Sequence, residues 1–299
     1  MSAAVEFKGV SHTYRSKGKA VQAVRDVTFS LGEGEVFGFV GPNGAGKSTT
    51  IKIMLDIIND YQGKVTLYGT DARQAEARRG MAYVPEAPAL YDQFTPLEIL
   101  RMGLSMYGIR RSDADAWCMQ WLDRFSVDGN GKRRMRELSK GNAQRVALAH
   151  AMAVEPRLLI LDEPLSGLDP VGRKDVVDIL NDYKKQGGAI FFTSHVLHDV
   201  ERIADRFGFI NKGQLVTVRS PRELAAERAD FFILRYQAEQ PLGKACTVLR
   251  PGEYECELPQ ADLPAAIAQL SNTGGHLLTI KPAVSLETVF FRILAEAPK

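Results

Sequence analysis

Residues 36–49 read Val-Phe-Gly-Phe-Val and then Gly-Pro-Asn-Gly-Ala-Gly-Lys-Ser-Thr, and no other stretch restricts the fold so narrowly. Five largely apolar residues in a row suit a strand buried on both faces. The nine that follow fit G-x-x-x-x-G-K-[ST] at every fixed position and open a helical pattern over 47–58. A strand that turns through glycines into a helix is the setting in which this motif cradles phosphate. Gly41, Gly44 and Gly46 let the backbone turn tightly around an anion, while Pro42, Asn43 and Ala45 occupy the variable positions. Consecutive N–H groups then point inward, and the helix N-terminus adds positive potential. Lys47 is placed to neutralise the β- and γ-phosphates of a nucleoside triphosphate and the Ser48 hydroxyl to ligate Mg²⁺, with Thr49 the last residue of the cradle. A chance glycine-rich turn with a stray lysine is the bland alternative, and the order strand, loop, helix argues against it.

Such a cradle needs a carboxylate on a neighbouring strand. Leu158-Leu-Ile-Leu-Asp162-Glu163 supplies two, at the carboxyl end of a buried strand, where open α/β sheets bind their ligands. Asp162 is expected to hold the metal, in part through water. Glu163, one residue on, is expected to take the proton of the attacking water as general base.

Short apolar runs at 36–40, 158–161 and 189–193 alternate with helical patterns at 47–58, 141–154 and 171–186. This alternation predicts an α/β fold with a mainly parallel core sheet. Residues 5–35 alternate in the manner of an antiparallel β flap. Residues 87–150 carry helical patterns at 96–107 and 113–125 with no strand between them, which predicts a helical insertion. A domain boundary is expected near Ser220-Pro221, so that residues 1–220 form the nucleotide-binding unit. Residues 221–299 then form a small α+β domain with strands at 231–236, 254–258 and 276–281 and helices at 262–271 and 285–295.

With these motifs placed, the sequence resembles the nucleotide-binding subunit of an ABC transporter, with six motifs in the family's order across about residues 5–215. Leu138-Ser139-Lys140-Gly141-Asn142 resembles the Leu-Ser-Gly-Gly-Gln signature, with Lys and Asn at two of its five positions. Ser139 suits a helix N-cap and Gly141 the first turn. The resemblance implies that this helix start reaches the ATP held by a second subunit. It further implies a D-loop at Ser166-Gly-Leu-Asp169, a switch histidine at His195, and an adenine-stacking aromatic at Tyr14. The family's usual Gln after a strand is replaced by Glu86 in Tyr83-Val-Pro-Glu86, which can still bind water or metal while adding negative charge. Glu at this place, Lys in the signature and the terminal Ser285-Leu-Glu-Thr-Val-Phe290 resemble bacterial exporter-type subunits.

The resemblance thus implies a P-loop ATPase that binds ATP and Mg²⁺. It implies a partner that is a second copy of the chain or a paralogous ATPase subunit, together with a polytopic membrane permease. The expected location is the cytoplasmic face of the inner (plasma) membrane, peripheral, through that permease. The rival reading is a soluble ABC ATPase acting on ribosomes or DNA. A single cassette without long coiled coils or zinc modules speaks against it.

Bulk properties agree. A chain of 299 residues with net charge +2 gives no sign of a polyanion partner, and no nucleic acid is expected. No apolar run reaches the roughly 18–20 residues that span a bilayer. Cys118, Cys246 and Cys256 have no paired spacing, which suits a reducing compartment and argues against a disulfide scaffold or zinc knuckle. His195 and His198 lack a third ligand for zinc. The basic run Lys132-Arg-Arg-Met-Arg136 reads as a solvated turn, and Trp117 with Trp121 as one helix face packed into a core.

Overall fold

The structure, a computed structural model of the chain, describes residues 3–16, 19–127, 133–223, 231–243 and 246–283. The chain divides into two compact units, Met1–Val218 and Arg219–Lys299.

In the first unit the order is β1 (Ala3–Ser16), β2 (Lys19–Gly32), β3 (Val36–Val40), α1 (Lys47–Met54), β4 (Gln62–Leu67), β5 (Thr70–Asp71) and β6 (Met81–Val84). Three helices follow: α2 (Pro96–Met106), α3 (Ala114–Arg124) and α4 (Lys140–Ala153). Then come β7 (Leu158–Asp162), α5 (Pro170–Lys185), β8 (Ala189–Ser194), α6 (Leu197–Ile203), β9 (Arg206–Asn211) and β10 (Gln214–Arg219). Two sheets result, ordered β2-β1-β4-β5 and β10-β9-β3-β8-β7-β6. In the second, β3 runs parallel to β8 and β9, and β7 runs parallel to β6 and β8. The central strands β3, β7 and β8 are buried along their whole length, as their unbroken apolar runs require.

Phe29 of the flap stacks on Phe37 at 5.2 Å and on Phe191 at 5.8 Å, which clamps the flap sheet to the core sheet. Each such buried ring contributes about 1.5–3 kcal/mol by burial. Helix α1 adds Ile51, Ile53 and Met54 to the same core and ends four residues before the sequence pattern does. Asp56 takes φ 59°, and the amides of Ile57 and Ile58 both donate back to the Lys52 carbonyl. Strands β4, β5, β9 and β10 did not stand out in the sequence.

The helical insertion begins with a reciprocal cap: Thr95 Oγ1 accepts from the Glu98 amide, and the Glu98 carboxylate accepts from the Thr95 amide. It is tied to the core by Tyr107, whose hydroxyl donates to the Met81 carbonyl at 2.8 Å. Trp117 Nε1 donates to the Ala153 carbonyl at 2.9 Å, which joins α3 to the end of α4.

The second unit comprises β11 (Phe231–Gln237), β12 (Thr247–Arg250), β13 (Glu253–Pro259), α7 (Leu263–Asn272) and β14 (His276–Pro282). Its antiparallel sheet runs β12-β13-β11-β14 around Leu234, Tyr236, Tyr254, Cys256 and Leu270. Strand β12 went unrecognised in the sequence, and that omission hid a disulfide. Cys246 and Cys256 are bridged, contrary to the expectation of unpaired thiols. The reason is register: Thr247 opposes Glu255 in the β12–β13 hairpin, so the next residues outward are Cys246 and Cys256. Their Cα atoms lie 4.4 Å apart. The helix expected at 285–295 lies outside the described residues.

Candidate functional site

Crowding dictates Gly41 and Gly46, whereas Gly44 has open space around it and takes a φ of +79°. A Cβ on Gly41 would sit 2.2 Å from the Ile210 carbonyl oxygen. One on Gly46 would sit 2.4 Å from the Ala23 carbonyl oxygen, at a φ of +113°. No side chain fits either place, and the loop is thereby pressed against β9 and β2. Gly46 precedes α1 with no side-chain cap, so the first amides of the helix stay available to a ligand.

Lys47 is the first residue of α1 and only 7% exposed. Its Nζ donates to the Gly41 carbonyl at 2.8 Å and stands 3.4 Å from Glu163 Oε1. Ser48 beside it is exposed, and Thr49 Oγ1 lies 3.4 Å from the Tyr14 hydroxyl. Tyr14 is 41% exposed and packs against His12 in a T-shaped contact, with ring centroids 4.6 Å apart.

Asp162 ends β7 and Glu163 follows with φ 49°, a left-handed conformation that a non-glycine residue rarely adopts. Both carboxylates are buried, at 5% and 7% exposure. Thr193 on β8 opposes Asp162 in the parallel register. Its hydroxyl donates to Asp162 Oδ1 at 2.5 Å and accepts from the Glu163 amide at 3.0 Å. His195 binds Glu163 twice: its backbone amide donates to Oε2 at 3.3 Å, and Nδ1 lies 2.8 Å from the same oxygen. With the proton on Nδ1, a neutral ring keeps Nε2 as acceptor. Donation to a γ-phosphate then needs the imidazolium or a turn of the ring. Burial pushes the Tyr83 phenol up to about 12, with the Asp162 carboxylate adding to the effect.

Lys47, Asp162, Glu163 and His195 therefore converge where β3, β7 and β8 end. The donor set suits Mg²⁺: a hydroxyl at Ser48 and a carboxylate at Asp162 with one oxygen already bonded are hard oxygen ligands. Among the described residues no group of three or more His, Cys, Asp or Glu forms a metal cage. An ion that keeps its waters and leans on substrate phosphates needs none. Glu86 stands apart. It is exposed in the bend after β6 and, among the described residues, makes no hydrogen bond or ion pair.

Ser139 caps α4, its Oγ accepting from the Asn142 amide at 3.3 Å. Lys140 and Gly141 meet their own chain's 164–169 loop. A Cβ on Gly141 would lie 3.1 Å from the Gly167 carbonyl oxygen. Gln144 Nε2 donates to the Pro164 carbonyl at 3.2 Å, and Arg145 pairs with Asp169 at 3.5 Å. Asp169 in turn caps α5, accepting from the Gly172 amide. Arg145 also donates to the Phe125 carbonyl at 3.0 Å. Neither Thr193 nor Arg145 stood out as functional in the sequence. The only trace of Thr193 is a hydroxyl closing an apolar run, and Arg145 is one cation among several between 132 and 145.

The ABC transporter family model matches residues 24–166. The chain is 33% identical to an uncharacterized ABC transporter ATP-binding protein of Synechocystis over 98% of its own length and 85% of the relative's. It is 36% identical to a fluoroquinolones export ATP-binding protein of Mycobacterium tuberculosis, over 73% of this chain and 71% of that one. Among solved structures it is similar to an ATP-binding subunit of an ABC transporter, with a TM-score of 0.68, 30% identity, and coverage of 75% of this chain and 92% of the other. A dimeric ATP-binding cassette in a post-hydrolysis state bound to ADP and Pi shares the fold at a TM-score of 0.66 and 21% identity, over 72% of this chain and 98% of that one.

Proposed function

This chain belongs to the ABC transporter family as an ATP-binding, ATP-hydrolysing subunit, and from that premise we propose that residues 41–49, Asp162, Glu163 and His195 form one half of an ATP site. Ser139 and Gly141 of a second copy complete it. The observation that carries this reading is Glu163: a buried carboxylate held by His195 at 2.8 Å and facing Lys47 at 3.4 Å, at the mouth of the glycine loop.

Tyr14 stacks on adenine, and the loop amides and Lys47 take the β- and γ-phosphates. Ser48 and Asp162 would hold Mg²⁺, and Glu86 would offer a further oxygen to the ion or to the attacking water. Bound there, the ion neutralises charge that develops on the phosphate oxygens. Glu163 takes a proton from water as the water oxygen bonds to the γ-phosphorus. The bond from that phosphorus to the β–γ bridging oxygen breaks, leaving ADP and phosphate. His195 holds Glu163 in line. ATP favours the closed pair of subunits because only that state lets Ser139 and Gly141 bind the γ-phosphate, and hydrolysis removes the preference.

Among the described residues no helix is long and apolar enough to cross a membrane. The kinship with transporter ATP-binding proteins supports a place on the inner face of the membrane through a permease, which senses closure near Glu86 and the start of α2. The Mycobacterium tuberculosis relative supports export as the direction.

Glu163→Gln tests the site. The variant is expected to bind ATP, lose turnover and run as a dimer on size exclusion at saturating ATP. Wild-type turnover would falsify the base assignment, and a monomer would sink the sandwich.

A further inference from the structure

We propose that Thr193 is a positioning residue that locks the two acids of the site to one another. The inference rests on the assignment of Asp162 and Glu163 given above. Thr193 is wholly buried, in a strand whose four preceding residues, 189–192, are all apolar. A hydroxyl there has one proton to give and lone pairs to receive with. Thr193 gives its proton to Asp162 Oδ1 at 2.5 Å and receives the amide of Glu163 at 3.0 Å. One oxygen atom thus bonds two consecutive residues at the point where the chain leaves the strand.

Two consequences follow for the reaction. Bonding of Oδ1 fixes the rotation of the Asp162 carboxylate, so that its other oxygen has one direction in which to meet the metal. Bonding of the Glu163 amide secures the peptide plane ahead of a residue at φ 49°. That backbone conformation is disfavoured for a side-chain-bearing residue and persists only where its surroundings impose it. It aims the Glu163 carboxylate at Lys47 and His195. Without the hydroxyl, the strand pairing of β7 with β8 remains, because its ladder is backbone to backbone. The amide of Glu163 and one carboxylate oxygen of Asp162 then lose their buried partner. The expected result is an intact fold with a misaligned base and a poorer metal ligand.

The register explains why threonine stands at this place. Asp162 is opposite Thr193, and a γ-hydroxyl on the neighbouring parallel strand reaches both the opposed side chain and the next amide. A serine can make both bonds. Valine, of the same shape, can make neither. Alanine lacks hydroxyl and methyl alike.

The test compares Thr193→Ser, Thr193→Val and Thr193→Ala in the full chain with its membrane partner. Steady-state ATPase activity is measured, with affinity for a fluorescent ATP analogue in the presence of Mg²⁺ and of EDTA. Outer-shell partners of a metal site commonly contribute about 10–100-fold, so Val and Ala are expected to lose kcat by about that factor. They are also expected to lose most of the gain in affinity that Mg²⁺ confers, while affinity in EDTA stays at the wild-type value. Ser is expected to stay within about threefold of wild type on both readouts, since it keeps the hydroxyl.

The proposal is overturned if Val or Ala retains wild-type kcat, or if Ser falls with them, which would assign the effect to the lost methyl. It is also overturned if Mg²⁺-dependent and EDTA affinities fall together. If Val does not fold, Ala carries the comparison, and if neither folds the hydroxyl serves the fold and the proposal fails. Glu163→Gln run alongside separates the two assignments. Should it remain active, the underlying site is wrong. Should it be inactive while Thr193→Val is active, only the role of Thr193 is wrong.

Discussion

Arg145 offers the sharpest test of how the signature helix is held to the catalytic loop. Its guanidinium donates to the Phe125 carbonyl at 3.0 Å, approaches Asp169 at 3.5 Å and Asp175 at 3.9 Å, and lies over Gly172. Replacing it by alanine strips three elements of a shared anchor: the end of α3, the start of α5 and α4 itself. The carbonyl bond dominates, since Phe125 is 1% exposed and its oxygen loses a charged donor. A hydrogen bond of that kind contributes about 1.5–3 kcal/mol. The pairs to Asp169 and Asp175 add less, because those carboxylates are 65% and 37% exposed and solvent screens them to about 0–1 kcal/mol. The expected loss is therefore about 2–4 kcal/mol, or a fall in Tm of about 4–16 °C for a unit of this size. Calorimetry on Arg145→Ala and Asp169→Ala reads it out. Asp169→Ala removes a helix cap worth about 1 kcal/mol and should shift the melt far less. A change below about 0.5 kcal/mol for Arg145→Ala, or equal losses in the two variants, refutes the ranking of these contacts.

Gly41→Ala should abolish ATP binding in an equilibrium assay while the chain still folds, because its methyl would meet the Ile210 carbonyl at 2.2 Å and force the loop out of shape. Tyr14→Ala should weaken ATP binding by the worth of one stacked base, about 1–3 kcal/mol, whereas Tyr14→Trp should preserve it in the same titration. Thiol counting should find no reactive cysteine in the folded, oxidised protein and two after mild reduction of the Cys246–Cys256 bridge. Burial pushes the Cys118 thiol up to about 11, so its alkylation should stay slow at pH 8 and rise only as the pH approaches that value. Rapid labelling of Cys118 at pH 8 would show that α3 opens readily.

Residues whose role depends on their own chemistry and on close neighbours in sequence were legible without coordinates. The glycine loop, the Leu-Leu-Ile-Leu-Asp-Glu run and the N-cap at Ser139 each carry their context within a dozen residues. What stayed hidden depends on pairing across the fold. Thr193 acquires a role only because β8 lies beside β7 in one register. Cys246 finds Cys256 only because β12, a four-residue strand with every residue exposed, folds back on β13. An exposed strand has no apolar alternation to announce it. Helix α1 stops early for a similar reason: Ile57 and Ile58 continue a helical pattern, yet Asp56 turns left-handed and sends their amides to Lys52.

The same dependence on pairing bears on how the site works. In the chain alone, Lys47 faces Glu163 and donates to the loop's own Gly41 carbonyl. Both side chains are buried, and a buried charge without a partner is costly by several kcal/mol. The pair therefore neutralises itself until a triphosphate arrives. When Lys47 turns to the phosphates, Glu163 keeps His195 as its partner, and its carboxylate is freed on the side that faces the loop. Substrate binding and exposure of the base are then one event. A carboxylate oxygen that faces Lys47 without ATP and is released by it has little capacity to accept a proton from water in the empty state.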